Sequence, residues 1–266
     1  VTNMINAFNA QNVKVYSIFK NINNAKNFNP YCYIIKSDSN RASHFLYLLK
    51  SSLKAISLGK KHKCDAIYTR SITVAFICTI FTKIPVSVEL HGAFSNKLEV
   101  LFAKYLSYKK VIFFCITKSL ISYIKTYIKK PTCLYVPDAH ASLIAKKNQL
   151  NYYYSDWSVN YRPKVGYFGL LNNQKGKNII KGLLRTCCYA DFYIYTLNEF
   201  LGEYPNLVES RTLTYKESLE MMNKMDFLLL TIVPQNFYRD VSSFTSPLKL
   251  YEYSSSGRVI IAFDIP

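Results

Sequence analysis

The chain has 266 residues, a length that allows two modest α/β domains or one large one. Half of the residues are hydrophobic, which supports a packed core and excludes an intrinsically disordered protein. The longest apolar run, from Ile72 to Thr82, has about half of the roughly 20 residues that a membrane crossing requires. It therefore predicts a buried helix.

The net charge of +18 is distributed unevenly along the chain. Residues 1–150 contain 22 Lys and Arg against 5 Asp and Glu, whereas residues 151–266 contain 12 against 11. A basic surface on one half favours an anionic membrane surface, a nucleic acid or a phosphorylated substrate as partner. A lysine-rich face that only confers solubility is the alternative. No nucleic-acid-binding motif accompanies the lysines, which are dispersed between apolar segments, so a nucleic acid is not expected.

Cysteine and histidine spacing argues against a metal site. The seven cysteines are odd in number and form no C-x-x-C pair, and most lie in apolar stretches, as reduced buried thiols of a cytoplasmic protein do. The four histidines show no ligand spacing.

Short β-branched runs alternate with helix-like segments, which predicts βαβ units and parallel sheets. In residues 1–150 the predicted strands are Val13–Phe19, Tyr31–Ile35, Ala66–Thr69, Pro85–Leu90, Val111–Ile116 and Cys133–Val136. The predicted helices there are Thr2–Gln11, 40–60, 71–82, 95–108 and 117–129. Because a doubly wound domain normally begins with a strand, we expect that a first strand precedes this sequence.

A second βα series follows a polar, tyrosine-rich segment, Ala145–Arg162, which is predicted to be an interdomain linker. The domains are therefore expected at 1–150 and 151–266. The predicted strands of the second domain are Lys164–Leu170, Phe192–Thr196, Asp226–Ile232 and Val259–Asp264. Its predicted helices are 175–187, 215–224 and 247–255. Nothing closes this domain, so we expect further chain after residue 266.

The most informative segment begins at Ser246. Ser246 suits a helix N-cap, Pro247 the first helical position, and Gly257 a left-handed stop before the next strand. Unpaired N–H groups at a helix start bind anions, and Lys249 adds positive charge to that turn. Lysine is unfavourable near a helix N-terminus unless an anion is bound there.

Glu252 follows Lys249 by three residues and is expected on the same helix face. A carboxylate can accept hydrogen bonds from both hydroxyl groups of a ribose, so the helix predicts a diphosphate site beside a ribose site. An ordinary surface helix with a Lys/Glu pair is the alternative that the residues alone leave open.

Residues 246–266, SPLKLYEYSSSGRVIIAFDIP, resemble the signature of the family 4 retaining glycosyltransferases. Five further segments resemble that family in the same order. They are Ile67–Ser71, the Glu-x-His-Gly segment Val88–Gly92, Cys115–Ser119, Val136–Ala139, and Val165–Gly169 with its continuation Gln174–Gly176. The resemblance covers about residues 60–266. It implies an α/β protein with the GT-B fold, in which two Rossmann-like domains with parallel sheets face each other across a cleft.

The resemblance also assigns roles to individual residues. Glu252 would hold the ribose of a nucleotide-diphosphate sugar, while Gly169 and Lys175 would face the diphosphate. Backbone N–H groups of Ser246–Leu248 would meet the same phosphates, together with Lys249. His91 would be the catalytic residue, in the region that meets the transferred sugar.

Two departures from the family pattern concern the donor site. The arginine common in the family's glycine loop is absent, since Leu170 and Leu171 follow Gly169. Phe244 stands where many members carry a second glutamate. This change is consistent with a feature shared by a subgroup of the family, with a different sugar donor, or with a weakened enzyme.

The implied activity is transfer of a sugar from a nucleotide-diphosphate donor to a glycan or lipid-linked acceptor, with retention at the anomeric carbon. The residues offer no Asp-x-Asp motif, so neither a metal nor another cofactor is expected. The basic half fits a lipid-diphosphate acceptor at the inner membrane face and a role in cell-surface polysaccharide synthesis. An inactive glycosyltransferase-like nucleotide-binding protein is the alternative.

Overall fold

The structure is a computed structural model that describes residues 8, 10–20, 31–35, 41–137, 160–172, 176–197, 202–231 and 248–262. The chain divides into two compact units, Val1–Pro137 and Asp138–Pro266. The predicted boundary at residue 150, and most of the predicted linker Ala145–Arg162, fall outside the described residues and stay predictions. Most of the predicted helix Thr2–Gln11 also lies outside them.

Unit 1 consists of parallel strands and helices close to those that the sequence predicts. In chain order its elements are β1 (Ser17–Lys20), β2 (Cys32–Ile35), α1 (Arg41–Lys61), β3 (Ile67–Thr69), α2 (Ile72–Phe81), β4 (Val86–Leu90), α3 (Lys97–Tyr108), β5 (Ile112–Cys115), α4 (Lys118–Tyr127) and β6 (Cys133–Tyr135). Strands β3, β4, β5 and β6 form a parallel sheet in sequential order. Strands β1 and β2 form a separate parallel pair.

Side-chain caps define where the helices of unit 1 begin. Ser71, Asn96 and Thr117 each accept a hydrogen bond from the backbone N–H three residues further on, which satisfies a donor that the helix leaves unpaired. Helix α2, predicted as buried, has four buried residues in its first two turns. Its last two residues, Ile80 and Phe81, are 45% and 63% exposed, so the prediction of a buried helix holds for its N-terminal part.

Unit 2 contains the predicted βα series and one strand that the sequence did not indicate. Its elements are β7 (Lys164–Phe168), α5 (Lys177–Thr186), β8 (Asp191–Tyr195), β9 (Leu207–Arg211), α6 (Tyr215–Met222), β10 (Phe227–Leu230), α7 (Leu248–Ser256) and β11 (Val259–Ala262). Strand β9 was missed because it lies at an edge of the sheet and is largely exposed, so it lacks the apolar run of a buried strand.

The sheet of unit 2 is parallel throughout, with the strand order β11-β10-β7-β8-β9. The chain therefore starts in the middle, builds to one side and then returns to build to the other, as in a doubly wound fold. The core has two layers. One contains Ile180 and Leu184 of α5, and the other contains Met222 of α6 and Tyr253 of α7. The predicted α/β class with parallel sheets is confirmed.

Among the described residues, no helix combines the length and the apolar character that a membrane crossing requires.

Candidate functional site

The order of strands in unit 2 reverses between β7 and β10, and the sheet opens there. Pairing joins Phe227 to Val165 and Leu228 to Gly166, and in the described residues it extends no further toward the carboxyl ends. Doubly wound sheets bind ligands outside the carboxyl ends of their strands at such a switch point. The residues that follow β7 and β10 are therefore the candidate ligand site of this unit.

The loop after β7 is held tightly against the neighbouring strand. Gly169 has φ +146°, a backbone conformation that residues with a side chain rarely adopt. Its N–H donates to the Tyr195 carbonyl (2.9 Å), and the N–H of Leu171 donates to Thr196 Oγ1 (3.1 Å). The loop is thus a rigid turn at the end of the sheet.

Helix α7 brings two of the predicted donor residues to this turn. Lys249 Nζ lies 2.6 Å from Glu252 Oε2, so the two side chains form an ion pair on one helix face. Lys249 Cε also lies within 3.3 Å of the position that a Cβ atom on Gly169 would occupy. The structure therefore brings together Gly169, Lys249 and Glu252. Leu248, the first residue of α7, is 54% exposed.

The remaining predicted donor residues, Lys175, Ser246 and Pro247, lie outside the described residues, as does Phe244. The residue next to Lys175 is described. Gly176 precedes α5 with φ +80°, and a Cβ atom there would lie 2.6 Å from the Thr231 carbonyl oxygen at the end of β10. The start of α5 is thereby fixed beside the same switch point.

Unit 1 has its own polar cluster, at the carboxyl ends of the adjacent strands β3 and β4. Glu89 of β4 is the centre, with a side chain that is 10% exposed. Arg70 Nε donates to Glu89 Oε2 (2.8 Å), the Tyr68 hydroxyl donates to the same oxygen, and His91 Nε2 lies 3.0 Å from Oε1. His91, the predicted catalytic residue, therefore contacts a buried carboxylate.

These contacts determine the charge state of Glu89. Burial raises the pKa of a carboxyl group, but here hydrogen bonds from His91, Tyr68 and Arg70, with the positive charge of Arg70, outweigh it and lower the pKa of Glu89 to about 2. Burial and the hydrogen bond to Glu89 raise the pKa of Tyr68. Because an ionised carboxylate only accepts hydrogen bonds, the Nε2 atom of His91 carries the hydrogen and Nδ1 is left for another partner.

Tyr68, Arg70 and Glu89 were not singled out as site residues from the sequence. The available signal was a carboxylate in a mostly apolar strand, followed two residues later by His91 just after the strand, which calls for a positively charged partner nearby. The partner strand supplies it, and strand pairing is a tertiary property.

No group of three or more His, Cys, Asp or Glu side chains that could hold a metal ion occurs within the described ranges. The expectation that no metal is needed stays a prediction.

Comparison with known proteins places the fold. No protein-family model matches the sequence, and no curated protein matches it. A glycosyltransferase from Rickettsia africae ESF-5 superposes with a TM-score of 0.68 at 14% identity, covering 98% of this chain and 74% of that one. Sucrose-phosphate synthase from Thermosynechococcus elongatus superposes with a TM-score of 0.62 at 12% identity, covering 88% of this chain and 66% of that one.

Anabaena HepE, solved in complex with UDP and glucose, superposes with a TM-score of 0.55 at 15% identity, covering 87% of this chain and 67% of that one. The chain thus spans about two thirds to three quarters of the length of these proteins. At such low identity a likeness establishes architecture and leaves activity open. The comparisons and the parallel sheets of both units together show that this chain has the GT-B fold.

Proposed function

We propose that this protein is a glycosyltransferase that binds a nucleotide-diphosphate sugar at the switch point of unit 2 and transfers the sugar to a glycan or lipid-linked acceptor. One observation carries the proposal. Gly169 is far from Lys249 and Glu252 in the sequence, yet the three residues meet where a doubly wound sheet binds ligands.

Each of the three residues contributes a different chemistry. The glycine turn lets a ligand approach the backbone closely, Lys249 supplies a positive charge for a diphosphate, and Glu252 accepts hydrogen bonds from ribose hydroxyls. Without ligand, Lys249 and Glu252 neutralise each other at 2.6 Å. Diphosphate and ribose would replace that contact with one partner for each charge. Lys175, Ser246, Pro247 and Leu248 complete the proposed donor site.

In unit 1 we propose that His91 contacts a sugar hydroxyl through Nδ1, because Glu89 occupies Nε2. No nucleophilic side chain is assigned, and the rate would come from positioning and from stabilising the departing diphosphate. We further propose that the anomeric configuration is retained and that no metal or other cofactor is needed. Proton NMR of the product's anomeric signal tests the first, and turnover in excess EDTA tests the second.

We also propose that unit 1 associates with an anionic membrane surface, at the inner face of the cytoplasmic membrane, in cell-surface polysaccharide synthesis. Residues 1–137 contain 20 basic against 4 acidic residues. On α3, Lys97, Leu101, Lys104 and Tyr108 are all exposed and recur at helical spacing, so lysines and apolar side chains share one face. Such a face combines electrostatic attraction with shallow apolar insertion.

Vesicle sedimentation tests the membrane association. We expect binding to vesicles of phosphatidylglycerol and phosphatidylcholine that weakens at high salt and in a Lys97→Glu, Lys104→Glu variant. Lys216→Glu with Lys224→Glu, an equal charge change on exposed lysines of unit 2, is the matched control and should bind normally. Binding that is absent, or insensitive to salt, would contradict the proposal.

Nucleotide binding tests the central proposal. Titration calorimetry with UDP, GDP and ADP should identify one that binds, and Glu252→Ala should weaken it roughly 10- to 100-fold through loss of two charge-assisted hydrogen bonds. Glu220→Ala, an exposed helical glutamate on α6, is the matched control and should leave the affinity unchanged. A folded chain that binds none of the three nucleotides would overturn the proposal, and binding without turnover would favour an inactive nucleotide-binding protein.

A further inference from the structure

Within the described residues, the last part of strand β7 is not paired with a strand on the side of β10. The N–H groups of a paired strand alternate in direction, and Gly169 donates to the Tyr195 carbonyl on β8. The N–H of Phe168 therefore faces the side of β10, whose pairing with β7 ends at Gly166 in the described residues. A buried backbone group in this position requires another partner.

Tyr253 of α7 is that partner. Its hydroxyl accepts a hydrogen bond from the Phe168 N–H (3.1 Å) and lies 3.3 Å from the Phe168 carbonyl oxygen, to which it can donate. The side chain is fully buried in the core layer that contains Phe168 and Tyr195. The Tyr253 hydroxyl thus takes the place of strand pairing for Phe168, at the point where β7 and β10 separate.

The same helix face carries Lys249, one turn before Tyr253. Side chains four residues apart on a helix lie one above the other. Tyr253 bonds to the backbone of Phe168, and Lys249 approaches the next residue, Gly169. Two consecutive contacts therefore align α7 with the end of β7.

We infer that Tyr253 is a positioning residue: its hydroxyl group, bonded to the Phe168 backbone where the sheet opens, holds Lys249 against the Gly169 turn so that the ammonium group meets a nucleoside diphosphate. The inference rests on the proposed function of unit 2. Tyr253 itself touches no ligand, because it is fully buried.

The first experiment compares Tyr253→Phe with Tyr195→Phe. Both substitutions remove a hydrogen-bonded hydroxyl from the same core layer, but the Tyr195 hydroxyl bonds to Glu209 on β9 (2.6 Å). With whichever of UDP, GDP and ADP the wild-type chain binds, Tyr253→Phe should weaken affinity roughly 3- to 10-fold, the value of one hydrogen bond. Tyr195→Phe should change it less than about twofold. Equal affinities of Tyr253→Phe and wild type would overturn the inference.

A double-mutant cycle separates positioning from general loosening. If Tyr253 acts through Lys249, then adding Tyr253→Phe to Lys249→Met should weaken binding by less than about twofold more. Two losses that multiply as independent effects would overturn the inference, since they would mean that Tyr253 acts by another route.

Hydrogen exchange on the wild-type chain provides a test that does not depend on a folded variant. Nucleotide binding should slow exchange of the Phe168 amide. Ligand contact with Lys249 should stabilise the position of α7, and Tyr253 of the same helix accepts the hydrogen bond from that amide. Unchanged protection of that amide on binding would contradict the inference. A wild-type chain that binds no nucleotide would instead overturn the proposed function and the inference with it, so the two failures are distinguishable.

Discussion

Each unit has a carboxylate near the carboxyl ends of its parallel strands, but the two carboxylates differ in their position and in their partners. Glu89 of unit 1 lies on a strand and receives hydrogen bonds from Tyr68, Arg70 and His91. Glu252 of unit 2 lies on a helix and pairs with Lys249, whose side chain is 36% exposed. A buried and fully bonded carboxylate organises its neighbours, whereas a partly exposed ion pair can exchange its partner for a ligand. This difference supports the proposal that Glu89 positions its neighbours and that Glu252 binds a ligand.

The largest effect on stability is expected where unit 2 is most tightly constrained. Gly176→Ala should destabilise unit 2 by about 3 kcal/mol, because the new methyl group would meet the Thr231 carbonyl at 2.6 Å and φ is +80°. Urea unfolding measures this. Gly182→Ala is the matched control: it lies inside α5, where the added carbon would have no atom from elsewhere in the described residues within 4 Å, and it should stabilise by about 0.5–1 kcal/mol. Equal effects would show that the start of α5 tolerates displacement.

Next in size is the loss of the buried charge in unit 1. Glu89→Gln should destabilise this unit by about 2 kcal/mol at pH 7, because Arg70 loses its counter-charge. In the wild type, the pKa of Glu89 falls from 4.5 to about 2 on folding, so its ionised form stabilises the fold above about pH 4.5 and this stabilisation is lost as the pH falls toward 2.

Urea unfolding between pH 2 and pH 6 tests that pH dependence. The difference in stability between wild type and Glu89→Gln should narrow as the pH falls from about 4.5 to 2. A difference that stays constant over this range would mean that Glu89 is not held ionised in the folded unit.

A smaller effect is expected for Tyr68→Phe, which removes one of the donors to Glu89 and leaves the others. We expect a loss of about 1 kcal/mol in the unfolding free energy of unit 1. Tyr108→Phe is the matched control, since Tyr108 is 79% exposed and should change stability by less than about 0.3 kcal/mol. If both variants were equally stable, the Tyr68 hydroxyl would have no role in holding Glu89.

The smallest stability change is expected at the ion pair of unit 2. Lys249→Met should alter the unfolding free energy by less than about 1 kcal/mol, because a partly exposed pair three residues apart contributes little. Its affinity for the nucleoside diphosphate should nevertheless fall about 10-fold. Lys216→Met, at an exposed position on α6, is the control for both measurements. A large loss of stability with unchanged affinity would reverse the roles that the comparison supports.

The α/β class, nearly all of the described strands and helices, and three residues of the proposed donor site could be predicted from the sequence alone. These properties are local. Strand and helix periodicity is carried by neighbouring side chains, and the spacing of Lys249 and Glu252 places them on one helix face in any fold. Edge strand β9 was not predicted, because its largely exposed residues lack that periodicity.

Which distant residues meet depends on the tertiary structure. That Arg70 neutralises Glu89 depends on the pairing of β3 with β4, and that Tyr253 bonds to Phe168 depends on the opening between β7 and β10. Such contacts join residues 19 and 85 positions apart. They follow from strand order, and strand order is set by how whole layers bury their apolar faces, which no local pattern specifies.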